Sequence, residues 1–228
     1  MQAFCNVDTT LESLGGRMPK WNKRRVTWAA QDGGFAGLSQ DDVWSSIEKA
    51  CDHVSNNCGL QFEHDDNRNA DIIWLYGHPQ GGRGGVLADM QLPNGSDSQL
   101  RGRIDTKEQW ARFDGPRAPF AGALDIDRTI LHELGHGIGI SHLNRGNLMQ
   151  PTWDINIWTF QRGDTQQSVS RYGAATTRPQ PPVEPDPDTG TKPQLIIDVT
   201  TGQARYHVQL LDLEGDEGTA LWKKIKRG

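Results

Sequence analysis

HELGHGIGISH, residues 132–142, is the stretch on which the reading of this 228-residue chain turns. It holds three of the seven histidines, His132, His136 and His142. The first two are four positions apart, so on a helix they share one face, about a turn from each other. Leu124, Ile130, Leu131 and Leu134 recur at roughly helical spacing, which predicts a helix near 125–138 with Asp125 or Asp127 capping its start. A continuing helix would not bring His142 to the same place. Gly139 is suited to turn the chain there, because glycine takes the positive φ found at helix ends.

Three neutral imidazoles converging on one ion leave a tetrahedral position open, the pattern of a catalytic rather than a structural zinc site. Glu133 would lie beside that position without being a ligand. Zinc lowers the pKa of a bound water to roughly 7. A carboxylate there can take its proton and pass it to a leaving nitrogen. The spacing therefore points to metal-assisted amide hydrolysis, with Glu133 as general base. HExxH alone is a short pattern. The longer HExxHxxGxxH, followed by a methionine turn, marks the metzincin peptidases. NLMQP supplies that methionine as Met149. The bland alternative, a buried helix with satisfied histidines, leaves Glu133, Gly139 and Met149 as coincidences.

Beyond the motif, the chain resembles a matrixin, the matrix-metalloproteinase branch of the metzincins, from about Pro19 to Gly173. PKWNKRRVTW is similar to the family's first strand. LSQDDVWSSIEKA is similar to its first long helix, with Ser39 as N-cap and Asp42 three residues on. ADIIWLYG and GGVLADMQLP resemble its third strand and the edge strand of the cleft. IDTKEQW resembles the segment that follows, and QRGDTQQSVSRYG the last helix with its closing Tyr-Gly. The resemblance implies a mixed α and β (α+β) fold, a twisted five-stranded, mostly parallel sheet with three helices. The pattern places strands near 25–30, 60–64, 70–76, 84–91 and 101–105, and helices near 40–56, 125–138 and 161–171.

The same resemblance implies a protein or peptide substrate held as an added strand along the edge strand, by the backbone of Val86, Leu87 and Ala88. Trp153 would wall the pocket for the side chain after the cut bond, which implies an apolar preference. Met149 would lie beneath the metal. Departures from the family matter too. Of the usual structural-zinc ligands only His78 is in place; Gln80, Asp89 and Arg103 replace the others, so a structural zinc is not expected. Asp89 and Arg103 can pair instead. Asp105 and Glu108 match two calcium-binding carboxylates. The opposing loop has lost its acidic residue, so two readings stay open, a calcium site or two solvated surface charges. Cys5, close to Asp8, resembles an inhibitory zinc-binding cysteine without the family's flanking arginine and proline; the alternative is an incidental thiol.

Residues 1–18 are read as an N-terminal extension, 19–173 as the peptidase domain, 174–193 as a proline-rich linker and 194–228 as a short hairpin-like tail. The tail is a candidate for binding a partner, though an isolated hairpin is marginal in water. A net charge of −5 argues against a nucleic-acid partner. No apolar run approaches the ~20 residues that span a membrane. MQAFCNVDTT lacks the basic start and apolar stretch of a secretory leader. Yet the resemblance implies an extracellular or particle-associated setting. Cys51 and Cys58 can pair only if the first helix ends between them. The function in another class is a non-catalytic, zinc-containing binding or structural attachment module, suggested by the missing structural zinc and the tail.

Overall fold

The computed structural model describes residues 19–65, 69–79, 84–113 and 118–175. Its main sheet has the order β2-β1-β3-β5-β4. The strands are β1 (Arg25–Ala30), β2 (Gln61–His64), β3 (Ile72–Gly77), β4 (Ala88–Met90) and β5 (Leu100–Asp105). β1 runs parallel to β2 and β3, and β3 parallel to β5, while β4 pairs antiparallel at the open end. Three helices accompany it: α1 (Gln40–Asn57), α2 (Ile126–Gly137) and α3 (Arg162–Tyr172). This is the expected α+β architecture of a mostly parallel five-stranded sheet with three helices.

Local chemistry explains each helix. Val43, Ile47, Ala50, Cys51 and Val54 recur at helical spacing in α1 and are all buried. Ser39 caps it in a reciprocal box with Asp42, an arrangement worth about 1 kcal/mol. In α2, Asp125 is the cap; its side chain accepts the Asp127 N–H. Asp127 then ties α2 to α1, taking Lys49 Nζ at 2.6 Å and the Ser46 hydroxyl. Eleven of the twelve α2 residues are buried, so this helix is an internal strut between sheet and α1. Among the described residues, no helix is long and apolar enough to cross a membrane.

Two elements differ from expectation. The strand near 84–91 shrinks to Ala88–Met90. Gly84, at φ +84°, turns the chain just before it, so regular pairing begins late. A second, two-stranded sheet joins β6 (Trp110–Ala111) to β7 (Leu124–Asp125) in parallel. Two-residue strands carry no readable periodicity. The suggested disulfide does not form: α1 continues through Asn57, and Cys51 and Cys58 are both free and buried. The extension with Cys5, the linker beyond residue 175 and the tail lie outside the described residues.

Candidate active site

α2 carries His132 and His136 on one fully buried face. Its end then reverses sharply. The Ile140 N–H reaches Gly135 O at 2.9 Å, and the Gly139 N–H reaches His136 O at 2.7 Å. Gly139 itself sits at φ +84°. This is a Schellman-type stop, which needs a residue free to adopt the left-handed region. Two later carbonyls are also satisfied, Gly137 O by Trp21 Nε1 at 2.9 Å and Ile138 O by the Tyr172 hydroxyl at 2.9 Å. The start of the domain and its closing Tyr-Gly thus grip the same turn. The turn returns His142 to the first two histidines. One ligand atom from each of His132, His136 and His142 lies within 4.8 Å of the others.

The rings are also oriented. His132 Nδ1 meets Leu148 O at 2.8 Å, and His136 Nδ1 meets Ile140 O at 2.8 Å. A carbonyl only accepts, so each Nδ1 carries the proton and each Nε2 keeps its lone pair. Burial holds His132 down at about 3 and His136 well below its ordinary value, so both are neutral, as metal ligands must be. Glu133 is fully buried, and among the described residues neither carboxylate oxygen has a hydrogen-bond partner. Burial, then the nearby Asp89 charge, raises its pKa well above the usual carboxylate range. Two orphaned oxygens beside three convergent imidazoles fit a site built around a cation and a water.

The methionine turn closes beneath this group. Gln150 N–H returns to Asn147 O at 3.3 Å, and Met149 is fully buried. A Cβ added at Gly135 would lie 2.3 Å from Met149 Sδ, so the Met149 side chain packs onto the bare helix face there and would have to shift to admit a larger residue. Sequence reasoning left Gly135 without a role. It also missed Asp164. This buried residue of α3 accepts the N–H groups of Leu148 at 2.8 Å, Met149 at 3.1 Å and Gln161 at 2.7 Å. The only sequence signal for it is its place three residues after Gln161, which announces a helix start and not a contact with the turn.

A family model described as matrixin matches residues 20–173. The chain belongs to the matrixin family. It is 28% identical to rabbit (Oryctolagus cuniculus) macrophage metalloelastase over 206 residues, covering 83% of this chain and 41% of that protein. It is 30% identical to matrix metalloproteinase-C of Caenorhabditis elegans over 181 residues, covering 72% of this chain and 30% of the relative. With the hatching enzyme of Paracentrotus lividus it shares 33% over 148 residues, 60% of this chain and 24% of that enzyme. The chain therefore spans less than half the length of these relatives. As a family, matrixins are zinc metallopeptidases, and three histidines of this chain are grouped so that they could hold a metal ion.

In this matrixin β4 is an edge of the sheet, with β5 as its one strand neighbour among the described residues. Asp105 N–H bonds to Leu87 O at 2.9 Å and Gln91 N–H to Arg101 O at 3.0 Å. Antiparallel alternation then points the backbone groups of odd-numbered residues at β5 and those of Ala88 and Met90 at the open edge. Of the three residues expected to receive a strand, Leu87 has already spent its carbonyl on β5. Trp153 is half-buried against the core, with the Arg128 guanidinium 4.4 Å from its ring centroid. Burial lowers Arg128 to about 10, opposed by the charges of Asp125 and Asp154.

The departures resolve in part. Arg103 forks onto Asp89, Nε to Oδ1 at 3.0 Å and Nη2 to Oδ2, forming the expected ion pair. Asp105 and Glu108 are 0% and 6% exposed, which overturns the reading of two solvated charges. Asp105 Oδ1 meets His78 Nδ1 at 2.9 Å and accepts the Lys107 N–H at 2.8 Å, and Glu108 accepts the Gly84 N–H. Asp105 Oδ2 is buried with no hydrogen-bond partner among the described residues, a hard oxygen of the kind calcium takes.

Proposed function

We propose that this chain is a zinc-dependent endopeptidase in which Glu133 is the general base. The observation that carries this is the orphaned, buried Glu133 carboxylate beside three convergent imidazoles. When bound, zinc supplies a Lewis acid and an acidified water. His132 and His136 would hold it through Nε2, with His142 as the third ligand. Glu133 takes the proton of the attacking water and returns it to the leaving nitrogen, a contribution of roughly 10²–10⁴-fold. An extended peptide adds to the sheet along the outward backbone of Val86 and Ala88. Trp153 walls the pocket for the residue after the cut bond, which favours an apolar side chain there. Residues 19–173 are the catalytic unit. Calcium at Asp105 and Glu108 is a second metal in this reading, and the setting is extracellular or particle-associated.

The test is cleavage of a quenched peptide library by wild type and Glu133→Ala, with zinc content measured in both. Cleavage before apolar residues, lost in the variant while zinc stays bound, is the expected result. A variant that cuts as fast as wild type would remove Glu133 from the mechanism. If a folded, zinc-loaded wild type is silent, and stays silent after removal of residues 1–18 with Cys5, the peptidase reading fails. The non-catalytic binding module then takes its place.

A further inference from the structure

Asp164 makes more contacts than a helix cap needs. Its bond to the Gln161 N–H completes the capping box of α3. Its other two bonds leave α3 altogether and reach back to Leu148 and Met149 in the methionine turn. One peptide group there is bonded at both ends. The peptide joining Leu148 to Met149 offers its carbonyl, Leu148 O, to His132 Nδ1 at 2.8 Å. Its N–H, on Met149, donates to Asp164 Oδ1 at 3.1 Å. All four residues are buried, His132, Leu148, Met149 and Asp164 each at 0% exposure.

We propose that Asp164 is a positioning residue for the metal site, acting on His132 through the Leu148–Met149 peptide. The claim rests on the reading of the three histidines as a zinc site. The physics is that of a hydrogen-bond chain. A carboxylate accepting the amide N–H polarises that amide and makes its carbonyl a better acceptor. The stronger carbonyl holds the proton on His132 Nδ1, fixes the ring plane and leaves Nε2 more basic. Metal-binding histidines commonly lean directly on a carboxylate or a carbonyl for this purpose. Here a peptide group stands between carboxylate and imidazole. The low local dielectric strengthens each link, since no water competes. The same carboxylate also holds the Leu148 N–H, so the carbonyl cannot swing away from His132 without breaking a charge-assisted bond.

The decisive measurement is zinc affinity, read by competition with a chromophoric chelator, in wild type, Asp164→Asn and Val169→Ala. Val169 packs from α3 against the core and has no part in the site; its truncation is the control for general loosening of α3. Asp164→Asn keeps the side-chain shape but removes the charge and one acceptor. It is expected to bind zinc roughly 10–100-fold more weakly, the range for lost outer-shell partners. Val169→Ala is expected to melt earlier with its zinc affinity kept. Asn binding zinc as tightly as wild type overturns the proposal; so does an equal loss in Val169→Ala. If Asp164→Asn does not fold, nitrogen NMR of the wild-type apoprotein decides instead. The relay requires the Nδ1–H tautomer at His132 and a Met149 amide protected from exchange; the other tautomer, or a fast-exchanging amide, overturns it. Neither readout uses peptide cleavage. Asp164-dependent zinc binding without any cleavage, even after removal of residues 1–18, would sink the proposed function and leave this relay standing.

Discussion

Replacing Gly139 by alanine tests the turn that brings His142 back to the other two histidines. Two costs add. Alanine at φ +84° sits in the left-handed region, at roughly 1–2 kcal/mol. Its Cβ would also lie 2.4 Å from Pro19 O and 3.3 Å from Arg171 Nη1. Backbone oxygen cannot rotate away, so the chain near Pro19 must shift, at about 1–3 kcal/mol. Gly146 is the matched comparison. Its φ is +95°, and a Cβ there meets nothing within 4 Å. Gly146→Ala should therefore cost only the conformational part, less the ~0.4–1 kcal/mol gained by restricting the unfolded chain. The difference between the two variants isolates the contact. The assay is urea unfolding at one fixed free-zinc concentration, with thermal melts alongside. The same unfolded-chain gain applies at both positions, so we expect Gly139→Ala to lose roughly 1–4 kcal/mol, at about 2–4 °C in Tm per kcal/mol, and Gly146→Ala roughly 1. Gly139→Ala should also weaken zinc, because His142 follows the displaced turn. Equal losses in the two variants would refute the reasoning, since the close approach of Pro19 would then carry no energy.

Other expectations follow from the same geometry. Burial, then the charge of Asp127, raises Asp125 from 3.8 to about 6. An acid whose folded pKa is raised contributes stability below pH 3.8 and loses it as pH climbs to about 6. Asp125→Asn keeps a capping oxygen and should be more stable than wild type by ~1–3 kcal/mol at pH 7.5, with the gain gone near pH 3.5; an equal gain at both pH values in urea titrations argues against the charge. Cys51 and Cys58 are buried, and burial raises both thiol pKa values. Alkylation mapped by mass spectrometry should label them only after unfolding; a disulfide-linked peptide pair would contradict the structure. Calcium should raise the Tm of wild type but not of Asp105→Asn if the open Asp105 oxygen holds it; the same rise in both would place calcium elsewhere. Tyr172→Phe leaves Ile138 O and the Trp21 N–H without their hydroxyl partner, at about 1–3 kcal/mol by urea denaturation.

What was legible in the sequence was local. The four-residue spacing of His132 and His136 is a property of any helix, Gly139 announces a stop wherever it stands, and Ser39 with Asp42 writes a cap within four residues. Each needs only its neighbours in the chain, so pattern suffices. The family resemblance added the order of strands, which no single window contains.

The tertiary structure alone decided how these pieces meet. Gly135 looks like a weak helix residue until Met149, fourteen positions on, is packed against it. Asp164 reads as a helix-start acid until α3 docks its carboxylate under the methionine turn. Asp105 and Glu108 carry the same charge in the sequence whether exposed or buried; the fold made them interior groups, with His78 and the Gly84 N–H as hydrogen-bond partners. Leu87 was expected to offer its backbone to a substrate, but the pairing register with Asp105 turned its carbonyl inward. Hydrogen-bond direction, burial and close approach depend on partners distant in the chain, and a spacing pattern names no partner. The sequence by itself therefore pointed to the proposed chemistry and to the helix that presents its histidines, while the docking of α3, the register of β4 and the approach of Pro19 decided what holds those residues in place.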